Sequence, residues 1–159
     1  MSYQQWSIPK FILAETLAAF RNGSHETFIL WTAPLKCTSS ICEIKRCIVP
    51  SQRPGFTATG AYVHIEGHEL NRIQFDNFDK GERSVVQLHT HPSTNVTMSR
   101  LDMEWEVVKH VGALSIIVPS YGSGGLAEYP GVNIYERMEN GWRLWGEEEI
   151  RERLVINGE

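Results

Sequence analysis

Apolar positions along the chain switch between a helical period and a strand period. A hydroxyl at Ser7 and an early proline at Pro9 signal a helix start, and Phe11, Ile12, Leu13, Ala14, Leu17, Ala18 and Phe20 continue it until Asn22-Gly23. Residues 27–32 are rich in β-forming side chains and residues 41–49 alternate before Pro50, which predicts two strands pairing as a hairpin. The stretch 51–60 holds Pro54, Gly55 and Gly60 and reads as a loop, followed by a strand over 61–65 and a helical segment over 69–78. A short apolar run over 84–89 predicts a buried strand. Helical spacing through Leu101, Trp105, Val108 and Val111 predicts a helix over 99–111. Beyond it come a core strand over 115–118, a glycine-rich loop over 121–131, strands over 132–137 and 142–145, and a charged closing helix over 147–155. Strands interleaved with helices in a chain of 159 residues predict one α/β domain over 1–159, a sandwich with a curved mixed β-sheet flanked by helices.

Composition narrows the function classes. An apolar fraction of 42%, an aromatic fraction of 10% and a mean hydropathy of -0.27 belong to an ordinary globular protein. With 15 Lys and Arg against 19 Asp and Glu and no long basic block, a nucleic-acid partner is not expected. The first residues carry neither the basic start nor the apolar run of a signal peptide, and no stretch reaches membrane-spanning length, so the expected compartment is the cytoplasm. Cys37, Cys42 and Cys47 are odd in number and lack any CxxC pair, which favours reduced thiols on strands over a disulfide framework or a zinc cluster. Trp31, Trp105, Trp142 and Trp145 read as core or rim.

Chemistry concentrates in Gln87-Leu88-His89-Thr90-His91-Pro92 and Ser99-Arg100-Leu101-Asp102. On a strand, His89 and His91 point to the same side and can converge on one ion. Alone, such a pair is more often two histidines near a strand end that bond loop carbonyls than a metal pair. Pro92 has no N–H to continue a ladder and turns the chain into a loop. Ser99 with Asp102 alone would suit a helix capping box. Combined, two imidazoles and a carboxylate make an N, N, O set for tetrahedral zinc with a fourth place open to water, as a hydrolytic site requires.

His89-x-His91-Pro92 followed by Ser99-x-x-Asp102 resembles the signature of the JAMM (MPN+/JAB) metalloproteases. That resemblance implies a JAB/MPN-like, cytidine-deaminase-like fold, a Zn2+ cofactor bound by His89, His91 and Asp102, and an upstream glutamate acting as general base. His25-Glu26-Thr27-Phe28-Ile29-Leu30 occupies the place of the family's glutamate pattern, so the role falls on Glu26 in preference to Glu43 or Glu66. Ser99 takes the family's oxyanion-stabilising role. Too few residues follow His91 for the barrel of a PHP-type phosphoesterase or amidohydrolase, and Ser93-Thr94 stands where a metallo-β-lactamase relative needs Asp-His. His25, His64, His68 and His110 fall in none of these patterns.

The resemblance is greatest to compact prokaryotic JAB proteins, which implies a metallopeptidase or isopeptidase cutting after the tail of a ubiquitin-like modifier. Its implied partners are a modifier conjugate and E1- or E2-like enzymes of a bacterial conjugation system, including antiviral CBASS types, with the chain as monomer or homodimer. The 51–60 and 121–131 loops are candidate walls for the extended tail. A peptidase acting on a sulfur-carrier or phage-tail protein, and a non-catalytic MPN scaffold, stand as alternatives.

Overall fold

The structure is a computed structural model and describes residues 3–21, 26–36, 39–57, 60–99, 107–122 and 131–158. In chain order its elements are β1 (Gln5–Pro9), α1 (Lys10–Arg21), β2 (Phe28–Pro34), β3 (Ile41–Glu43), β4 (Arg46–Ile48), β5 (Arg53–Thr57), β6 (Gly60–His64), α2 (Gly67–Asp79), β7 (Glu82–Thr90), β8 (Leu114–Val118), β9 (Asn133–Met138), β10 (Gly141–Leu144), α3 (Glu147–Arg153) and β11 (Leu154–Asn157). A six-stranded sheet in the order β10-β9-β8-β7-β2-β4 forms the centre. It is mixed, because β7 runs parallel to β8 and antiparallel to β2. No helix among the described residues is long and apolar enough to cross a membrane.

Both faces of this sheet are covered. On one, Ile29, Trp31, Val86, Leu88, Ile116 and Ile134 pack with Ile12 and Phe20 of α1 and with Trp6 and Ile8 of β1. On the other, Phe28 and Leu30 meet Ile73 of α2 and Val108, while Ile117 and Tyr135 meet Met98. Each large apolar side chain taken fully from water contributes roughly 1.5–3 kcal/mol. The central strands therefore alternate between two apolar layers, which is why their sequences read as nearly continuous apolar runs.

The mixed α/β class with three helices among the described residues agrees with the sequence pattern, but four elements differ. Residues 5–9 begin a strand ahead of the helix: Trp6 and Ile8 are buried in alternation, and β1 pairs in parallel with both β11 and β3. The expected strand over 41–49 divides. The Ile44 N–H donates to the Ser7 carbonyl and the next N–H, of Lys45, to the Thr32 carbonyl, so the chain crosses from the three-stranded sheet to the six-stranded one at that point. The expected loop over 51–60 contains β5, which forms a hairpin with β6. The closing helix ends at Arg153, and β-branched Val155 and Ile156 continue as β11. Among the described residues there are thus three sheets where the pattern suggested one.

The helix expected over 99–111 lies largely outside the described residues. Its described end, from Val107 to Gly112, is a turn. The N–H groups of Val107 and Val108 donate to the Gln87 side-chain oxygen at 3.1 and 3.0 Å and so are taken by β7.

Candidate metal centre

The site grows from the C-terminal end of β7. His89 stands opposite Phe28 in the antiparallel register, and directly opposed side chains share a face. Their rings stack with centroids 6.4 Å apart and planes 14° from parallel. Two residues on, His91 returns to that face. Its N–H donates to the Val118 carbonyl at 2.8 Å and its carbonyl accepts from Tyr121 at 2.9 Å, so the backbone stays held after β7 ends. Pro92 then leads the chain away.

The rings converge through their Nε2 atoms, which lie 3.1 Å apart. His91 Nδ1 lies 2.8 Å from the Asn95 carbonyl oxygen. A carbonyl only accepts, so Nδ1 carries the proton and Nε2 presents its lone pair toward His89. Two Zn–N bonds of about 2.0–2.1 Å at a tetrahedral angle place their nitrogens about 3.3 Å apart. The observed pair fits a zinc ion, and the Asn95 bond is the kind of outer contact that fixes a ligand's tautomer.

Glu26 lies just ahead of β2. Beyond the Phe28–His89 pair, Thr90 N–H donates to the Thr27 carbonyl at 3.1 Å and Thr27 N–H to Thr90 Oγ1 at 2.9 Å. Thr27 therefore lies beside Thr90, and Glu26 precedes it in the chain, beyond the paired strand residues. Glu26 is 7% exposed, a strong departure for a carboxylate. The rival acids sit elsewhere. Glu43 is exposed on β3 in the three-stranded sheet and pairs with Lys45 at 3.2 Å, and Glu66 is exposed beside Arg53 at 3.1 Å.

Ser99 is exposed at the end of the loop that follows His91, while Asp102 lies outside the described residues. Among the described residues no group of three His, Cys, Asp or Glu side chains is gathered closely enough to hold an ion, so the imidazole pair requires a further ligand. Both ends of the stretch bearing Asp102 are anchored near the pair. Before it, Tyr135 Oη accepts the Met98 N–H at 3.1 Å, and Asn133 Nδ2 donates to the Val96 carbonyl at 3.1 Å and to Tyr135 Oη at 3.2 Å. After it, Gln87 takes the Val107 and Val108 amides and donates to Ser115 Oγ at 3.2 Å. Gln87 stands two residues before His89 and shares its face.

These supporting residues are absent from the sequence reading. Gln87 is a polar residue in an apolar strand two positions before the histidines, which is a usable signal. Asn95 acts through its carbonyl, which any residue type carries, so composition offered none. The remaining sulfur and imidazole groups lie apart. Cys42 is buried on β3, and Cys47 on β4 has its thiol pushed up to about 11 by burial, with Thr16 opposing. Cys37 lies outside the described residues. Burial, with Arg83 nearby, pushes His110 down to about 4. His64 lies 3.3 Å from Glu66, and His68 is exposed. His25 is outside the described residues. Of the tryptophans, Trp31 and Trp145 are core, Trp142 is at the rim, and Trp105 is not described.

No protein-family model matches the chain. The solution structure of protein DSY2949 from Desulfitobacterium hafniense is similar over 98% of this chain and 94% of that one, with a TM-score of 0.65 and 15% identity, a likeness of fold. A stretch of 97 residues, 61% of this chain, is 28% identical to the probable metalloprotease y4jG of Sinorhizobium fredii (strain NBRC 101917 / NGR234), and the match spans 58% of that relative's length.

Proposed function

We propose that this chain is a zinc metallopeptidase of the JAMM/MPN+ type, cleaving a peptide or isopeptide bond after the C-terminal tail of a ubiquitin-like modifier. The observation that carries this reading is the convergence of two imidazole Nε2 atoms at 3.1 Å at the end of β7, and the burial of Glu26 just ahead of β2 supports it. The name of the Sinorhizobium relative, probable metalloprotease, supports the reaction class. The motif from His89 to Asp102 supports the finer assignment.

In this reading His89, His91 and Asp102 hold the metal. Zinc, when bound, supplies Lewis acidity and lowers the pKa of water in its open position toward neutrality. Glu26 takes the proton from the attacking water and returns it to the leaving amine. Ser99 donates a hydrogen bond to the carbonyl oxygen as charge develops there. The β5–β6 hairpin and the 121–131 loop are the proposed walls for the tail. A bacterial conjugation system with E1- and E2-like enzymes, of the antiviral CBASS kind, is the setting in which such a conjugate would be met.

The test incubates the purified chain with a modifier–target fusion, with and without chelator, and measures zinc per chain. The expected outcome is cleavage at the tail, its loss on chelation, its return with added zinc, and loss of zinc in Asp102→Ala. Cleavage that survives chelation overturns the mechanism. Zinc binding without cleavage of any fusion favours a scaffold that binds modifiers.

A further inference from the structure

The N-terminal end of β7 borders a different feature. A groove of about 750 Å³ runs beside α2, with apolar walls from Leu30, Leu35, Leu70, Ile73, Val107 and Val108. At 3.3 Å per residue its Arg83 end lies roughly 20 Å before His89 along the strand, while Leu30, Val107 and Val108 carry the groove toward Gln87. Phe78 stands at the lip of the groove and Phe75 beside it on the same helix, 73% and 74% exposed, and Leu35 at the groove mouth is 43% exposed. One isolated exposed phenyl group is ordinary. Two at one-turn spacing beside an open apolar groove form a contiguous patch of the kind that marks an interface.

The charges around the patch point to its occupant. Arg83 and Lys109 line the groove and have no ion pair or hydrogen bond among the described residues, and the Arg83 Nε is wholly buried without a partner. Asp79, next to Phe78 and exposed, has no ion pair either. Among the described residues, the ridge therefore carries an anion without an ion pair and the groove two cations without one, while the groove's Glu82 is already paired with Arg46. A surface that contains both a protrusion and a matching recess of opposite charge is complementary to itself, and a two-fold axis lets each copy fill the other.

We infer that this chain forms a symmetric homodimer through α2, with Phe75 and Phe78 of each copy seated in the groove of the other and Asp79 of each facing Arg83 across the interface. Four phenyl groups bury on the order of 600–1,000 Å². With the helix flanks added, this approaches the roughly 1,200 Å² at which specific interfaces begin. The inference does not rest on the peptidase reading, because Phe75, Phe78, Asp79 and Arg83 have no part in the proposed metal site.

Sedimentation velocity and light scattering on the full chain across the micromolar range test it. The expected species has twice the 18.1 kDa chain mass. Phe75→Ala with Phe78→Ala raises the dimer dissociation constant at least about tenfold, as removal of central aromatic anchors does. Asp79→Arg and Arg83→Asp each give monomers, because each sets like charges across the axis. Mixed together they pair as a heterodimer in which both contacts are attractive again. Circular dichroism confirms that each variant is folded, and the phenylalanine variants change only exposed positions. A wild-type monomer at hundreds of micromolar, a dimer indifferent to the phenylalanine substitutions, or monomeric charge variants that do not pair on mixing would each overturn the inference.

Discussion

Opposite faces of the six-stranded sheet carry two clusters of buried polar groups, and they are built on different logic. On the face toward α1, Glu136 of β9 is 3% exposed. It accepts from Trp145 Nε1 and Arg153 Nη1, each at 2.9 Å, and lies 3.4 Å from Arg143. The Arg153 guanidinium lies 5.0 Å from the Trp6 ring and 4.5 Å from the Trp145 ring, and it donates to the Tyr3 carbonyl at 2.6 Å. Here donors meet acceptors and a cation meets an anion. On the face toward α2, the Nε2 atoms of His89 and His91 lie 3.1 Å apart, and which of them donates depends on the tautomer of His89. The first cluster is complementary within itself and ties the two ends of the chain together. The second is complementary to a cation. Burial alone does not separate architecture from chemistry; the pairing of donor with acceptor does.

Three substitutions set that distinction against measurement. The largest effect is expected at Glu26. Glu26→Gln keeps the shape of the side chain and removes its basicity, so turnover falls by about 10²–10⁴-fold, the usual weight of general-base catalysis. Zinc per chain and thermal stability stay near those of the parent. If stability drops steeply and cleavage persists, Glu26 belongs with the architectural kind of cluster and the comparison fails.

Arg153→Ala is the converse. It leaves Glu136 buried without its main cation, and breaking such a pair costs about 3–5 kcal/mol. Urea unfolding measures that loss, while the zinc affinity of the folded chain stays unchanged. An equal loss of zinc would show that the two faces are coupled.

The smallest effect concerns a third buried carboxylate, outside both clusters. Glu69 of α2 accepts from Arg72 Nε at 2.6 Å and from the Ser51 N–H at 2.5 Å, and these contacts, Arg72 foremost, hold its pKa at about 2 against an ordinary 4.5. A carboxyl depressed in the folded state adds stability above its unfolded pKa and loses it as pH falls through the folded value. The thermal midpoint is therefore expected to fall between about pH 4.5 and pH 2, and Glu69→Gln to flatten that fall. Glu149, lowered to about 2 with Arg143 as the first cause, contributes in the same window and with the same sign. A Glu69→Gln profile identical to the parent's would remove Glu69 from the account of acid stability.

Much of the fold was legible wherever the interaction is local. The stripe from Phe11 to Phe20 gave α1, and the apolar runs at β7 and β8 gave the core strands. The failures share one cause. β1 and β11 pair across nearly the whole chain, and each is too short for its own pattern to outweigh the adjoining helix signal. The division at Ile44-Lys45 depends on consecutive amides finding Ser7 and Thr32, two acceptors on different sheets. The β5–β6 hairpin was hidden because Pro54 and Gly55 weigh against a strand that a neighbouring partner nevertheless forms.

At the candidate site, the sequence by itself determined the chemistry: which imidazoles, which carboxylates, and the alternation that puts His89 and His91 on one side. It also raised Glu26 above its rivals, but through family resemblance rather than through spacing. The tertiary structure decided the rest. The β2–β7 register sets Phe28 against His89, the Asn95 carbonyl sets the tautomer of His91, and Gln87 with Tyr135 anchors the chain on either side of the stretch that carries Asp102. Residue type and strand periodicity are properties of the local chain. Which residue lies opposite which, and which backbone carbonyl a ring nitrogen meets, depends on pairings between segments far apart in sequence, and no local pattern encodes them.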